Sequence, residues 1–276
     1  MTTATLSERP ARGEARAVPG YGFRSAAAAE WLKLRSVRST VWTAAVFAAG
    51  MIGLAILALG HLRYGSFSAA DRATFDPVEQ GFAGLAIGQL AFGVLGALVI
   101  TTEFSSGMIR ATLAAVPNRP LLLAAKAAVL TAVTLAVGEI LAFGAFAVGE
   151  AVLRSPAPHA TLGQPGVLRA VLMAGAYPTL IALLALGLGA VIRHTAGAIS
   201  AVAGILFVLP LILLPLGTSI QNSVGQFMPM VIAENSLTAV KAQSHTLSPG
   251  VGFAVLCGYA VIALAAGGWA LARRDA

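Results

Sequence analysis

Six long apolar runs dominate this sequence and leave it few ways to fold. They run approximately from Val41 to Gly60, Gly81 to Thr102, Leu121 to Gly149, Val167 to Ile192, Ala196 to Gly217 and Gly250 to Ala272. Each is about 20 residues or longer, the length a helix needs to cross roughly 30 Å of hydrocarbon. Inside lipid every backbone amide must be satisfied within its own segment, so such runs form helices. Composition agrees: 58% of the residues are hydrophobic and only 11% are charged, about half the charged share of an ordinary soluble domain. The sequence therefore predicts an all-α polytopic membrane bundle of six transmembrane helices.

The third run is long enough to tilt or to project beyond the bilayer. Tyr177-Pro178 in the fourth, and Pro210 and Pro215 in the fifth, predict kinks, because proline removes a helix amide and crowds the preceding turn. Residues 1–24 are polar and basic, with no short apolar core or small-residue cleavage site, and read as a mobile cytoplasmic tail ahead of a permease domain over 25–276. Thr218 to Pro249 mixes apolar and polar pieces, which suits short helices at the outer leaflet as well as a loop.

Lys and Arg set the orientation. With the N-terminus inside, 13 of the 18 fall on one side and 5 on the other, which places both termini in the cytoplasm. The net charge of +7 is thus explained by orientation, and its scatter between apolar runs gives no support for a nucleic-acid partner. Just before the first span, Ser25 to Arg38 reads as an interfacial helix. Trp31, Leu34 and Val37 form its apolar stripe, Trp31 suits a membrane interface, and Trp31, Lys33 and Arg35 are its candidate interfacial residues. Glu30 and Arg38 spoil the wheel by falling on the apolar arc.

Several chemistries find no support. A phosphate-cradling P-loop needs glycine before a lysine that Ser or Thr follows, whereas Lys33, Lys126 and Lys241 precede Leu, Ala and Ala. His61, His159, His194 and His245 are far apart, the one cysteine (Cys257) lies in an apolar run, and no metal-ligand spacing occurs. A membrane enzyme would need a nucleophile–base set that is not evident.

Polar residues inside the spans are few. Gln89 lies in the second, and Glu139 lies in the third on one stripe with Phe143, Phe146 and Glu150. A charged carboxylate at mid-membrane costs roughly 2.5–3.5 kcal/mol, so Glu139 should face protein or water. Depths of roughly 12 and 15 Å from the outer ends of their spans point to contact between Gln89 and a protonated Glu139. The alternative makes Glu139 part of the conduit. Gly81, Gly84 and Gly88 share one face of the second span and predict a close helix contact, within the bundle in preference to between copies.

The segment after the second span, Thr101 to Lys126, is the most distinctive. Glu103 ends the apolar run, Gly107 permits a turn, "MIRATLAA" makes about two helical turns, and Pro117 closes them. Glu103-Phe104-x-x-Gly107, then Thr112-Leu113, then Pro117-x-Arg119, then Ala125-Lys126 resembles the permeases of type-2 ABC exporters. "EWLKLRSVRSTVWT" at 30–43, "FMP" at 227–229, "LSPGVG" at 247–252 and "RRDA" at 273–276 are similar to further pieces of that family, in the same order. The resemblance implies that 108–115 is a coupling helix seated in a separate P-loop ATPase. It further implies coupling roles for Glu103, Gly107, Arg110, Thr112, Leu113, Pro117 and Arg119. ATP and Mg would then bind the partner chain, with no cofactor on this one, and a second copy or a related permease would complete the transporter in a bacterial cytoplasmic membrane. A self-contained proton-coupled secondary transporter, with Glu139 as carrier, is the alternative. It would usually show inverted repeats and several intramembrane charges, and neither is evident.

Overall fold

The computed structural model describes residues 22–36, 38–239 and 246–273. Residues 1–21 of the expected tail, Lys241, His245 and the last three residues lie outside them. Among the described residues, six helical stretches are long and apolar enough to cross a membrane, as the apolar runs require.

Chain order follows the expected plan. Helix α1 (Phe23–Ser36) precedes the first span, α2 (Arg38–Gly60). Two short helices come next, each started by an acid-assisted cap. Ser68 and Asp71 form a capping box on α3 (Ala69–Thr74), and the Asp76 carboxylate accepts the Val78 and Glu79 amides at the start of α4 (Pro77–Gly81). The second span is α5 (Leu85–Ser105), so the run that begins at Gly81 is interrupted by a turn before the long helix starts. A short helix, α6 (Met108–Ala115), leads into the third span, α7 (Arg119–Val152).

The fourth span, α8 (Val167–Ile192), contains Pro178 within one continuous helix and ends at Arg193 in the left-handed region, with φ 61°. The fifth is composite: α9 (Thr195–Ala203), a π-helical turn over Gly204–Val208, α10 (Leu209–Leu213) and a 3-10 turn over Leu214–Leu216. The irregularity flanks Pro210 and Pro215, where the missing amides prevent an unbroken ladder. Short helices α11 (Thr218–Val224) and α12 (Pro229–Leu237) fill the long connection to the last span, α13 (Pro249–Arg273).

Helix α8 is the hub, packing against α5, α7 and α13. Of its most apolar stretch 67% is buried, against 17% for the fifth span. Lipid tails are as apolar as leucine, so helices in a bilayer gain most from close fit. The glycine face of the second span shows this. A side chain at Gly84 would collide with the Gly50 carbonyl, and one at Gly88 with the Phe47 ring, so this face packs on α2. Gly96 approaches the Ala182 carbonyl of α8 in the same way. Phe47 and Phe92 meet edge to face with ring centroids 4.6 Å apart in the same core.

Candidate functional site

Four charged side chains from three helices meet where α1, α5 and α7 come together beside α6. Lys126, on the second turn of α7, is fully buried. Its Nζ donates to Glu30 Oε2 at 2.8 Å, to Glu103 Oε1 at 2.7 Å and to the Val99 carbonyl at 3.4 Å. Lys33 closes the ring from α1, donating to Glu30 Oε1 at 2.9 Å and to Glu103 Oε1 at 2.8 Å. Two ammonium groups thus neutralise two carboxylates. Glu30, Glu103 and Lys126 are almost inaccessible to solvent, while the Lys33 side chain keeps 37% of its exposure. Burial of the Lys33 ammonium opposes its charge, but hydrogen bonds and attraction from Glu103 and Glu30 outweigh this and raise its pKa. The second oxygen of Glu103, Oε2, is buried without a hydrogen-bond partner among the described residues.

Local sequence explains the placement. Glu30 sits one turn before the buried Leu34 on the packed face of α1, which is why it falls on the apolar arc of the wheel. Glu103 lies in the last turn of α5 and Lys126 seven residues into α7, roughly 10 Å along the helix. Asn118 caps α7 by accepting the Leu121 amide at 3.1 Å, and Pro120 occupies the first turn. Proline suits that position because the amides there have no intrahelical acceptor.

Helix α6 spans Met108–Ala115, the "MIRATLAA" segment expected to be helical. It starts at Gly107, whose φ of 72° favours glycine even though nothing lies within 4 Å of where a Cβ would be. Ile109 is buried, and Leu113 and Val116 pack with Ala26 of α1 and Leu122 and Ala125 of α7. The other face, with Met108, Arg110, Ala114 and Pro117, is exposed, and Thr112 is half-buried. Arg119 turns away from this face and donates from Nη1 to the Leu271 carbonyl of α13 at 2.6 Å. A cavity of about 420 Å³ is bordered by Lys33 and Leu34 of α1, Leu95, Leu98 and Glu103 of α5, and Met108 at the start of α6. Trp31 and Arg35 are exposed on α1.

The intramembrane polar residues are arranged differently from the sequence expectation. Gln89 does not meet Glu139. It accepts a hydrogen bond from the Tyr177 hydroxyl of α8, and its amide donates to the Ala86 carbonyl at 3.1 Å and to Met230 sulfur at 3.2 Å. Similar depth does not fix which way a side chain faces, and α8 presents its own residues to both α5 and α7. Glu139 is half-buried against Gly175 of α8, with Oε2 buried and without a hydrogen-bond partner among the described residues. Glu150 sits near the end of α7, where Oε2 accepts the Ala160 amide at 3.0 Å and pairs with His159 Nδ1 at 3.1 Å. It anchors the following loop.

At the same end of the bundle as Glu150, Glu79 and Glu234 border a cavity of about 310 Å³ together with Phe82 and Met230. Burial raises the pKa of both carboxyls, and Asp76 and Glu234 raise that of Glu79 further. No group of His, Cys, Asp and Glu suited to a metal ion occurs among the described residues.

Two members of the ion cluster, Glu30 and Lys126, carry no site assignment from the sequence. The signal for Glu30 was its misfit on the apolar arc, since a carboxylate on a packed face needs a cation. Lys126, inside an apolar run, needed the complementary anion.

A family model described as ABC-2 family transporter protein matches residues 27–210, two-thirds of the chain. The chain belongs to the ABC-2 transporter family. It is an ABC transporter permease, and the match takes in α1 from residue 27, all of α5, α6 and α7, and all four members of the ion cluster. Comparison with curated proteins gives no match. The resemblance of the Thr101–Lys126 segment to type-2 permeases is thereby borne out, and the six-span helical bundle is the membrane domain of this ABC-2 permease.

Proposed function

We propose that this permease is the transmembrane subunit of an ATP-driven exporter and that the ion cluster of Glu30, Lys33, Glu103 and Lys126 is its transmission joint. The cluster carries the reading: it ties α1, the end of α5 and the start of α7 into one unit directly beside α6. Helix α6 is seated on α1 and α7 through Leu113 and Val116, and α1, α5 and α7 cannot then move apart without unpairing buried charges, which is costly. The exposed face of α6, with Arg110 at its centre, is the surface offered to a separate P-loop ATPase, on which ATP and Mg bind. Glu103 and Lys126 pass the motion to α5 and α7, Gly107 sets the angle of α6, and Leu113 seats it. Arg119 fixes the start of α7 to α13.

In this reading the α6 end of the bundle and both termini are cytoplasmic, as the Lys/Arg split supports, and the membrane is the bacterial cytoplasmic membrane. A second copy or a related permease completes the conduit. The fifth span, the least buried of the six, offers the larger free apolar surface for it.

The test is enzymatic. The purified chain should hydrolyse no ATP, and hydrolysis should appear when the P-loop subunit that co-purifies with it is added. Arg110→Glu should abolish that co-purification while leaving thermal stability unchanged. ATP turnover by the isolated chain, or normal capture of the ATPase by the Arg110→Glu variant, would refute the reading.

A further inference from the structure

A groove of about 690 Å³ runs between α7 and α13, on the outer surface of the bundle, where Ala124, Val261, Ala265 and Trp269 are exposed. Leu123, Ala127, Leu264, Ala265, Gly268 and Trp269 line it, and no charged or hydrogen-bonding side chain other than the Trp269 indole contributes to its wall. Small residues of α13, Ala265 and Gly268, leave the slot open. A methyl group on Gly268 would meet only Leu123 Cδ2, at 3.7 Å, an ordinary contact. Along α13 the groove extends from Val261 to Ala272, twelve residues whose ends lie roughly 16 Å apart. That is about half the thickness of the hydrocarbon core, the depth of one leaflet.

One end of the groove is charged. Arg273 ends α13 with its guanidinium 5.5 Å from the Trp269 ring centroid, so the indole holds the cation at the mouth. Arg119, at the first turn of α7, is held beside it by its 2.6 Å hydrogen bond to the Leu271 carbonyl. Arg193 donates to the neighbouring Ala270 carbonyl at 3.0 Å. Three guanidinium groups therefore surround the last turn of α13, where the chain leaves the apolar zone, and Trp269 is 59% exposed at that level, as suits a residue at the membrane interface.

We propose that this groove is a binding site for one anionic phospholipid, with an acyl chain along α7 and α13 and its phosphate against Arg273. A leaflet-deep apolar slot with the Arg273 guanidinium at its mouth complements that amphiphile at both ends. Basic residues at the membrane surface attract anionic headgroups, and arginine suits phosphate because its donors form a planar fork. The site requires only that the chain lie in a bilayer. It is independent of the coupling assignment and would stand if that failed.

Native mass spectrometry of the full chain, released from bilayers of phosphatidylglycerol and phosphatidylcholine in equal parts, tests the site. The wild type should retain one phosphatidylglycerol per chain in preference to phosphatidylcholine. Arg273→Gln should lower that preference roughly fivefold, and Gly268→Leu, which fills the slot, should lose retention of both lipids. Ala265→Phe obstructs the same space from α13 and keeps the test open if Gly268→Leu lowers folded yield. Equal retention of the two lipids by the wild type would overturn the proposal, as would wild-type retention in both slot-filling variants. Efficient cross-linking of Ala265→Cys between two copies in the bilayer would also overturn it, because a protein neighbour would then occupy the groove.

Discussion

Replacing Lys126 with methionine tests the ion cluster at its most buried member. The side chain keeps its length, and the helix keeps its propensity, so the change removes little besides charge. Glu30 Oε2 and Glu103 Oε1 then lose an ammonium at 2.8 and 2.7 Å. Lys33 alone remains to serve two carboxylates, and its partial exposure weakens what it supplies. Removing one partner from a buried ion pair costs roughly 3–5 kcal/mol. For a chain of this size each kcal/mol moves the midpoint by roughly 2–4 °C, so the melting temperature in detergent should fall by roughly 6–20 °C. The Lys126→Met/Glu30→Gln double variant leaves Lys33 facing one carboxylate and should recover roughly 1–3 kcal/mol of the loss. Thermal unfolding followed by size-exclusion of the surviving fraction reads all three proteins. A Lys126→Met midpoint within about 2 °C of wild type would show that the cluster contributes little, and absence of recovery in the double variant would show that the charges do not act together.

Gly107→Val forces a β-branched residue into a left-handed backbone, with strain of roughly 1–3 kcal/mol, in an exposed turn. ATPase stimulation should fall more than folded yield does, and normal stimulation would refute the role given to this turn. Glu139→Leu removes a buried oxygen that makes no hydrogen bond among the described residues, so folded yield should hold or rise. A marked fall would restore a structural bonding role for that carboxyl. Burial raises the Glu234 pKa, so between 4.5 and the folded value the native state binds more protons than the unfolded one. Stability from this group is greatest below the unfolded value and declines as pH rises through the folded one. Glu234→Gln should flatten that part of the melting profile, and an unchanged profile would contradict the assignment.

Much of the fold was legible because hydrocarbon enforces helices: the fourth span begins at Val167 and ends at Ile192 as read, and α6 coincides with "MIRATLAA". Asn118 and Pro120 look unfavourable as helix interior, and only the structure shows them to be the cap and the first-turn proline of α7. What sequence did not show was direction around each helix axis. Gln89 and Glu139 have similar depths, yet α8 gives one of them Tyr177 and the other Gly175. Glu30 and Lys126 are 96 residues apart. Glu30 alone looked like a misfit on an apolar arc, Lys126 did not, and only tertiary packing reveals them as partners. The composite fifth span was foreshadowed by its prolines, but a proline does not specify which irregular turn relieves the backbone.

The central claim is that the ion cluster transmits motion from α6 to the rest of the bundle. Spin labels at Ser106→Cys, at the α5–α6 turn, and Ala160→Cys, in the loop held by Glu150, report that transmission in the permease–ATPase complex with Cys257→Ala as background. Double electron–electron resonance before and after trapping the ATPase with ATP and vanadate is the measurement. In an otherwise wild-type chain the distance distribution should shift on trapping, and in a Glu103→Gln variant that still binds the ATPase the shift should be lost. An equal shift in both would contradict the account.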